Sequence, residues 1–289
     1  MSDVPAPQLK KLIDCVSVQA DRCMEIGAPC VIAIAGGSAS GKTTLTKQLA
    51  ANLGFDRVVI LQQDAFQLGW DFADQENSPY RWDDPRNYTP EQIRAVLLTL
   101  LKGEPVEVPR FDLAANVRVG TVVFEPAPII LFEGLYTLAD EFCDLIEESI
   151  YVSAPLYARF LRRIFRFMSE VGSDKGAIAV RHMFNFVVAA HRTFVTPQQL
   201  SATHIFSEPY DFVEETAKKF GLHEVRLPEP QGVLGDSIKL PSNISLELYT
   251  EVATEQSQFA IRWEGQIVFR CEIETATGSR MYQLDWLSA

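Results

Sequence analysis

The run Gly36-Gly37-Ser38-Ala39-Ser40-Gly41-Lys42-Thr43-Thr44 constrains this chain more than any other stretch of it. It matches the pattern G-x-x-x-x-G-K-[ST], and its flanks agree with that pattern. Before it, Cys30–Ala35 is a short apolar run bounded by Pro29 and Gly36, which predicts a buried strand. After it, Thr43–Leu53 has helical spacing and stops at Gly54. Strand, glycine turn and helix start together make an anion cradle. The glycines let successive N–H groups turn inward, and the helix N-terminus adds partial positive charge. In this pattern Lys42 reaches the β- and γ-phosphates of a nucleotide and the Thr43 hydroxyl ligates Mg²⁺. The competing reading, a Gly/Ser-rich turn that fits by chance, has odds on the order of 1% at ordinary residue frequencies.

The rest of the chain alternates strands with helices. Leu9, Leu12, Ile13, Val16, Ala20 and Cys23 predict an amphipathic helix over 9–23. Val58–Gln62, Ile129–Phe132, Ser149–Ser153 and Thr203–Ser207 read as further strands. Thr89-Pro90-Glu91-Gln92 reads as a helix start, with Thr89 as cap and Gln92 completing a capping box, and that helix runs to Lys102. Helices are also expected over 156–170, 177–195 and 209–220. This order predicts an α/β fold, a doubly wound parallel sheet built from right-handed βαβ units. Beyond the turn-rich Pro228–Gly232, the runs Ile244–Ala253, Phe259–Glu274 and Met281–Leu287 alternate apolar and polar residues, as antiparallel strands do. The expected organisation is an N-terminal helix (1–28), a P-loop domain (29–227), a linker (228–239) and a small antiparallel β extension (240–289).

Composition excludes several function classes. A net charge of −12 argues against a nucleic-acid partner, because phosphate backbones need a basic surface. The cations are instead concentrated around Lys42 and in Arg159–Arg166. Five cysteines without a C-x-x-C pair point to buried thiols in a reducing compartment, and four histidines lack metal-ligand spacing. The N-terminus has no charged-then-apolar leader pattern, and no apolar run approaches the roughly 20 residues of a membrane span. A cytoplasmic protein without a membrane partner is expected.

The loop alone does not fix the P-loop class. A guanine-reading N-K-x-D is absent, and the apolar strand 129–132 ends in Glu133-Gly134. In a doubly wound sheet that carboxylate lies beside the loop, where it can hold Mg²⁺ directly or through water. The alternative is that Glu133 only caps a turn.

Six segments then occur in a telling order: the loop itself, Gln63-Asp64-Ala65-Phe66, Trp82-Asp83-Asp84-Pro85, Pro109-Arg110-Phe111-Asp112 with Arg118, Phe132-Glu133-Gly134, and Arg162-Arg163-Ile164-Phe165-Arg166. With them, residues from about 28 to 207 resemble the uridine kinase and phosphoribulokinase family, its uridine kinases most of all. The resemblance implies ATP and Mg²⁺ as cofactors, a lid near 156–176, and γ-phosphate transfer to a hydroxyl of a nucleoside or sugar-type metabolite. It implies that Asp64 takes the proton of the attacking hydroxyl, the alternative being an Asp that shapes an Asx-turn. Asp83 or Asp84, the former fitting better, would hold sugar hydroxyls, and a turn-forming D-D-P is the rival reading. Phe111 and Arg118 fall where the family contacts its nucleoside. Arg162, Arg163 and Arg166 share helical i,i+3 and i,i+4 spacing, so they can converge on the transferring phosphate; a solvated basic face is the alternative.

Departures from the family cluster on the acceptor side. Ala65-Phe66-Gln67 replaces a Ser-Phe-Tyr, Asn116 stands at the pyrimidine-reading histidine, Ser173 at a lid arginine and Arg181 at a glutamine. Phosphate machinery retained with base-reading residues changed is the mark of an altered acceptor. Arg181 would suit an anionic one, a sugar phosphate or sugar acid. A rival of another class is a catalytically silent nucleotide-binding regulator, against which the joint retention of Asp64, Glu133 and the arginines speaks. The β extension carries no recognised motif. It is too small to stand alone, and is expected to cover a sheet edge, close over the site or pair with a second copy in a homo-oligomer.

Overall fold

The computed structural model describes residues 7–69, 72, 83–113, 115–154, 159, 162–163 and 186–207, together with the strand backbones within 244–285. The chain divides into two compact units, Met1–Ala154 with Asn185–Glu208, and Pro155–Phe184 with Pro209–Ala289.

In the first unit five strands form one parallel sheet. They are β1 (Cys30–Gly36), β2 (Val58–Gln62), β5 (Ile129–Glu133), β6 (Glu148–Ser153) and β7 (His204–Ser207), in the order β2-β5-β1-β6-β7. Every residue of β1 and β5 is buried, which is why both read as unbroken apolar runs. Strand alternation sends Val31, Ala33, Ala35, Ile130 and Phe132 to one face, where α3 (Pro90–Leu101) covers them with Ile93, Val96, Leu97 and Leu100. Cys30, Ile32, Ile34, Ile129 and Leu131 go to the other, under α1 (Pro7–Glu25) and α2 (Lys42–Leu53). Each large aliphatic side chain so buried contributes about 1.5–3 kcal/mol. Helices on both faces are what the sequence predicts.

Burial and the neighbouring Cys23 push the Cys30 thiol up to about 12, so it is an inert part of this core. The four cysteines among the described side chains are free thiols; Cys23 and Cys30 are buried as expected, whereas Cys15 is half-buried and Cys143 exposed. No helix among the described residues is long and apolar enough to cross a membrane.

Three details differ from the sequence reading. The first is the Thr89–Gln92 capping box, which does not form. The Thr89 hydroxyl, with one proton to donate, lies 3.1 Å from Gln92 Oε1 and 3.3 Å from the Phe66 carbonyl, and makes no bond to the helix N–H groups. The loop after β2 outcompetes the helix for it.

The second is a hairpin that the sequence reading leaves without strands. In it β3 (Val106–Asp112) pairs antiparallel with β4 (Val117–Phe124), with a bulge between Pro109 and Phe111 and Asn116 in the left-handed region at φ 56°. The third lies in the second unit, where the run Phe259–Glu274 is two strands, not one. Strands β8 (Ile244–Glu251), β9 (Gln256–Trp263), β10 (Gln266–Ala276) and β11 (Ser279–Asp285) form an antiparallel sheet in the order β11-β10-β9-β8. Its register pairs Leu248 with Phe259, Phe259 with Cys271 and Cys271 with Leu284. Of the expected helix 177–195, the described part is helical, with Val188–Ala190 followed by a π-helical turn at His191–Val195. The helices expected over 156–170 and 209–220 lie outside the described residues except Arg159, Arg162 and Arg163, which are helical.

Candidate active site

The site stands at the carboxyl ends of β1, β5 and β2. Parallel register sets Glu133 level with Ile34 on β1 and with Gln62 on β2, while β1 runs two residues further and turns into the glycine loop. The loop is built by backbone angles that few residues tolerate. Gly36 has φ 148°, Gly41 has φ 102°, and Ala39 adopts φ 61°. Ser40 N–H closes the turn on Gly37 C=O at 3.0 Å, and α2 begins at Lys42 with no side chain capping it. An uncapped helix N-terminus behind this tight glycine loop is suited to an anion. The buried Ser40 hydroxyl has no partner among the described residues. Lys42 Nζ spans the loop to Gly37 C=O at 3.0 Å.

Beside the loop, Thr43 Oγ1 donates to Glu133, 3.1 Å from each carboxylate oxygen, and Gln62 Nε2 donates to Oε1 at 2.7 Å. Glu133 is only 5% exposed, so these donors satisfy a buried carboxylate. Two hard oxygen ligands beside a phosphate cradle are a donor set for Mg²⁺ shared with phosphates. No cluster of three or more His, Cys, Asp or Glu among the described residues forms a self-sufficient metal cage. The turn after Glu133 is fixed by Gln63, whose Oε1 accepts from Tyr136 N–H at 2.8 Å, and by Gln198, which bonds Leu138 N–H and Leu135 C=O. Gly134 lies so close to the Gln63 side chain that any Cβ there would collide with it.

Asp64 follows β2 on a short 3-10 turn, and its side chain is exposed. Its Oδ1 accepts from Gln67 Nε2 and from the Tyr88 hydroxyl, both at 3.3 Å. Burial, and after it the nearby charge of Asp64, holds the Tyr88 phenol well above its ordinary value, so it remains a donor. Tyr136, packed edge-on to Tyr88 at 5.5 Å, is likewise pushed up by burial and donates to the Asp83 carbonyl.

The acceptor-side candidates divide. Asp84 accepts from the Arg86 N–H at 2.9 Å and from the Arg86 guanidinium at 2.8 Å, contacts that shape the turn. Asp83 is buried beside it, with its main-chain carbonyl held by Tyr136. Arg118 clamps the main chain just after Asp64, donating to Gln67 C=O at 2.8 Å and Phe66 C=O at 2.9 Å, and also to Thr89 and Gln92. Phe111 and the Asn116 carbonyl close on Gly69, which leaves no room for a side chain there. The Asn116 amide nitrogen is buried without a partner among the described residues. Arg162 and Arg163 belong to the second unit; Arg166 and Arg181 lie outside the described residues. Sequence reasoning misses Gln62 and Tyr88, and marks Gln67 only as a departure from the family's tyrosine. Gln62 and Gln67 flank recognised motifs, whereas Tyr88 carries no signal.

A parallel sheet whose central strand runs into a glycine loop, with a carboxylate on the adjacent strand tip, defines a P-loop nucleotide-binding protein. The sequence model of the family described as Phosphoribulokinase / Uridine kinase matches residues 31–217. The uridine kinase of Staphylococcus carnosus is 30% identical over 191 residues, 63% of this chain and 89% of that one. The uridine kinase of Lactobacillus helveticus is 32% identical over 184 residues, 62% of this chain and 87% of its own. A solved structure from Silicibacter sp. TM1040, assigned as a fructose transport system kinase, shares the fold with a TM-score of 0.55 at 22% identity, covering 65% of this chain and 98% of that one. The chain belongs to the phosphoribulokinase and uridine kinase family. It is an ATP-dependent phosphotransferase that acts on a hydroxyl of a small metabolite.

Proposed function

We propose that residues 36–44 bind the phosphates of ATP and that Asp64 accepts the proton of a nucleoside or sugar-type hydroxyl as the γ-phosphoryl group is transferred. The observation that carries this reading is Asp64 itself. It is an exposed carboxylate on the turn just past β2, two residues after the Gln62 that pairs with Glu133, held by two neutral donors through one oxygen only. A proton acceptor must reach the alcohol, and beyond that phosphoryl transfer needs positioning and charge neutralisation. Thr43 and Glu133 would hold Mg²⁺, which when bound neutralises phosphate charge. Lys42 has to swing from Gly37 C=O to the phosphates, a short move for a flexible side chain. Arg162, Arg163 and Arg166 would close over the transferring group from the lid, and Asp83, Phe111 and Asn116 would line the acceptor side. The reading carries with it a kinase domain over 29–227, a cytoplasmic location and a β extension at 240–289 available for pairing with a second copy.

The test is a panel of nucleosides, pentoses, hexoses, sugar phosphates and sugar acids, followed by ADP release. At least one is expected to raise ADP release well above the ATP-only rate. Uniform silence across the panel, with ATP bound, would favour the regulator reading instead. A narrower expectation concerns Glu133. Glu133→Gln keeps an oxygen for Gln62 and Thr43 but removes the charge, so the Mg²⁺ concentration for half-maximal rate should rise about tenfold. A titration of rate against Mg²⁺ that overlays wild type would remove Glu133 from the metal's surroundings.

A further inference from the structure

The exposed base candidate sits on a small buried scaffold that the family resemblance did not suggest. Gln67 Nε2 and the Tyr88 hydroxyl each reach Asp64 Oδ1 at 3.3 Å, and Gln67 Nε2 also lies 3.3 Å from the Tyr88 hydroxyl. The three groups form a closed triangle. Gln67 and Tyr88 are buried, at 8% and 5% exposure, whereas Asp64 faces solvent. Their main chains are tied as well. Gln67 and Tyr88 form an isolated antiparallel bridge, Gln67 N–H returns to Asp64 C=O, and Arg118 Nε holds Gln67 C=O at 2.8 Å. Asp64 Oδ2 has no hydrogen-bond partner among the described residues.

We propose that Gln67 and Tyr88 are positioning residues that fix Oδ1 of Asp64 and so aim Oδ2 at the acceptor hydroxyl. This rests on the base role proposed for Asp64. In the step they serve, the acceptor O–H bond breaks toward Oδ2 as its oxygen bonds the γ-phosphorus, and the bond from that phosphorus to the ADP oxygen breaks. Both donors are neutral, so they orient the carboxylate without a full countercharge that would blunt it as a base. A carboxylate left to rotate would spend most of its time misaligned, and small misplacement of a reacting group costs rate steeply. Arg118, read from the sequence as an acceptor contact, is part of the same frame through Gln67.

The test uses the full chain with two near-isosteric variants, Gln67→Met and Tyr88→Phe, each of which removes a donor and keeps the packing. With uridine, or whichever panel compound the wild type phosphorylates fastest, kcat is expected to fall about 10- to 100-fold in each. The acceptor KM, the Kd for mant-ATP and the melting temperature should stay near wild type, a split that a merely structural role does not produce. Gln67→Met placed on Asp64→Asn should cost nothing further, because it acts through the carboxylate. Unchanged kcat in both variants, a raised acceptor KM at constant kcat, or a further loss on the Asp64→Asn background would overturn the proposal. Should Asp64→Asn itself run at the wild-type rate, the base reading fails instead; should it be inactive while Gln67→Met and Tyr88→Phe are normal, only this inference fails.

Discussion

Asp64→Asn is expected to lower kcat by about 10³-fold while leaving the Kd for mant-ATP within about twofold of wild type. The substitution is isosteric, and an amide oxygen can still accept from Gln67 and Tyr88, so the scaffold around position 64 survives. What is lost is the second oxygen. In asparagine that atom is an N–H₂ donor, which cannot take a proton and opposes the acceptor's O–H with hydrogens of its own. The glycine loop and the start of α2, which would hold the nucleotide, do not bond Asp64 in this structure. Loss of kcat with retained affinity is thus the signature that separates proton acceptance from phosphate binding. Rapid-quench measurement of acceptor phosphorylation with saturating ATP and Mg²⁺ reads it directly. A rate indistinguishable from wild type would leave Asp64 a turn residue and move the base elsewhere.

How much of this is legible in the sequence depends on where the information sits. The parallel strands announce themselves because a strand buried on both faces has no polar alternation to hide it, as in Cys30–Gly36 and Ile129–Glu133. The loop is legible because its glycines answer a backbone demand that no other residue meets as well, as at Gly36 and Gly41. The β3–β4 hairpin is not, because Pro109, Arg110 and Asp112 interrupt the alternation on one strand and Gly120 on the other. The run Phe259–Glu274 reads as one strand although Glu264-Gly265 is a turn signal, since alternation continues on either side of it.

Side-chain roles are harder still. Asp84 carries the same letter as Asp83 and sits in the same motif, and its contact with Arg86 two residues on is a local one that the letter alone does not distinguish. Tyr88 is invisible because it meets Asp64 across 24 residues of chain, and only the fold brings them together. For Arg118 the sequence reading names an acceptor contact, and the contacts the structure shows are to main-chain carbonyls. Proximity to an acceptor follows from family position, but the carbonyls of Phe66 and Gln67 that occupy its guanidinium are not written in any motif.

The second large effect lies in the loop's first residue. Gly36→Ala should destabilise the fold by about 1–3 kcal/mol and weaken mant-ATP binding at least tenfold. At the tip of β1, Gly36 pairs with Val152 of β6, and a Cβ at position 36 would stand 2.5 Å from the Val152 carbonyl oxygen. Ser40 Oγ at 3.0 Å and Val152 Cβ at 3.2 Å close the other directions. The obstructing atom is main chain of a central strand, so it cannot rotate aside. Either β1 and β6 part at their ends or the loop shifts, and the amides lose their common focus in both cases. Backbone strain alone is a competing explanation, since Gly36 sits at φ 148°. Gly103 separates the two. It has φ 76°, but an added methyl there would meet nothing within 4 Å. Gly103→Ala therefore carries strain without collision and should cost only about 1–2 kcal/mol with nucleotide binding intact. Thermal melts and mant-ATP titrations on both variants decide it. If Gly36→Ala binds nucleotide as tightly as Gly103→Ala does, the close approach of β6 is not what shapes the cradle.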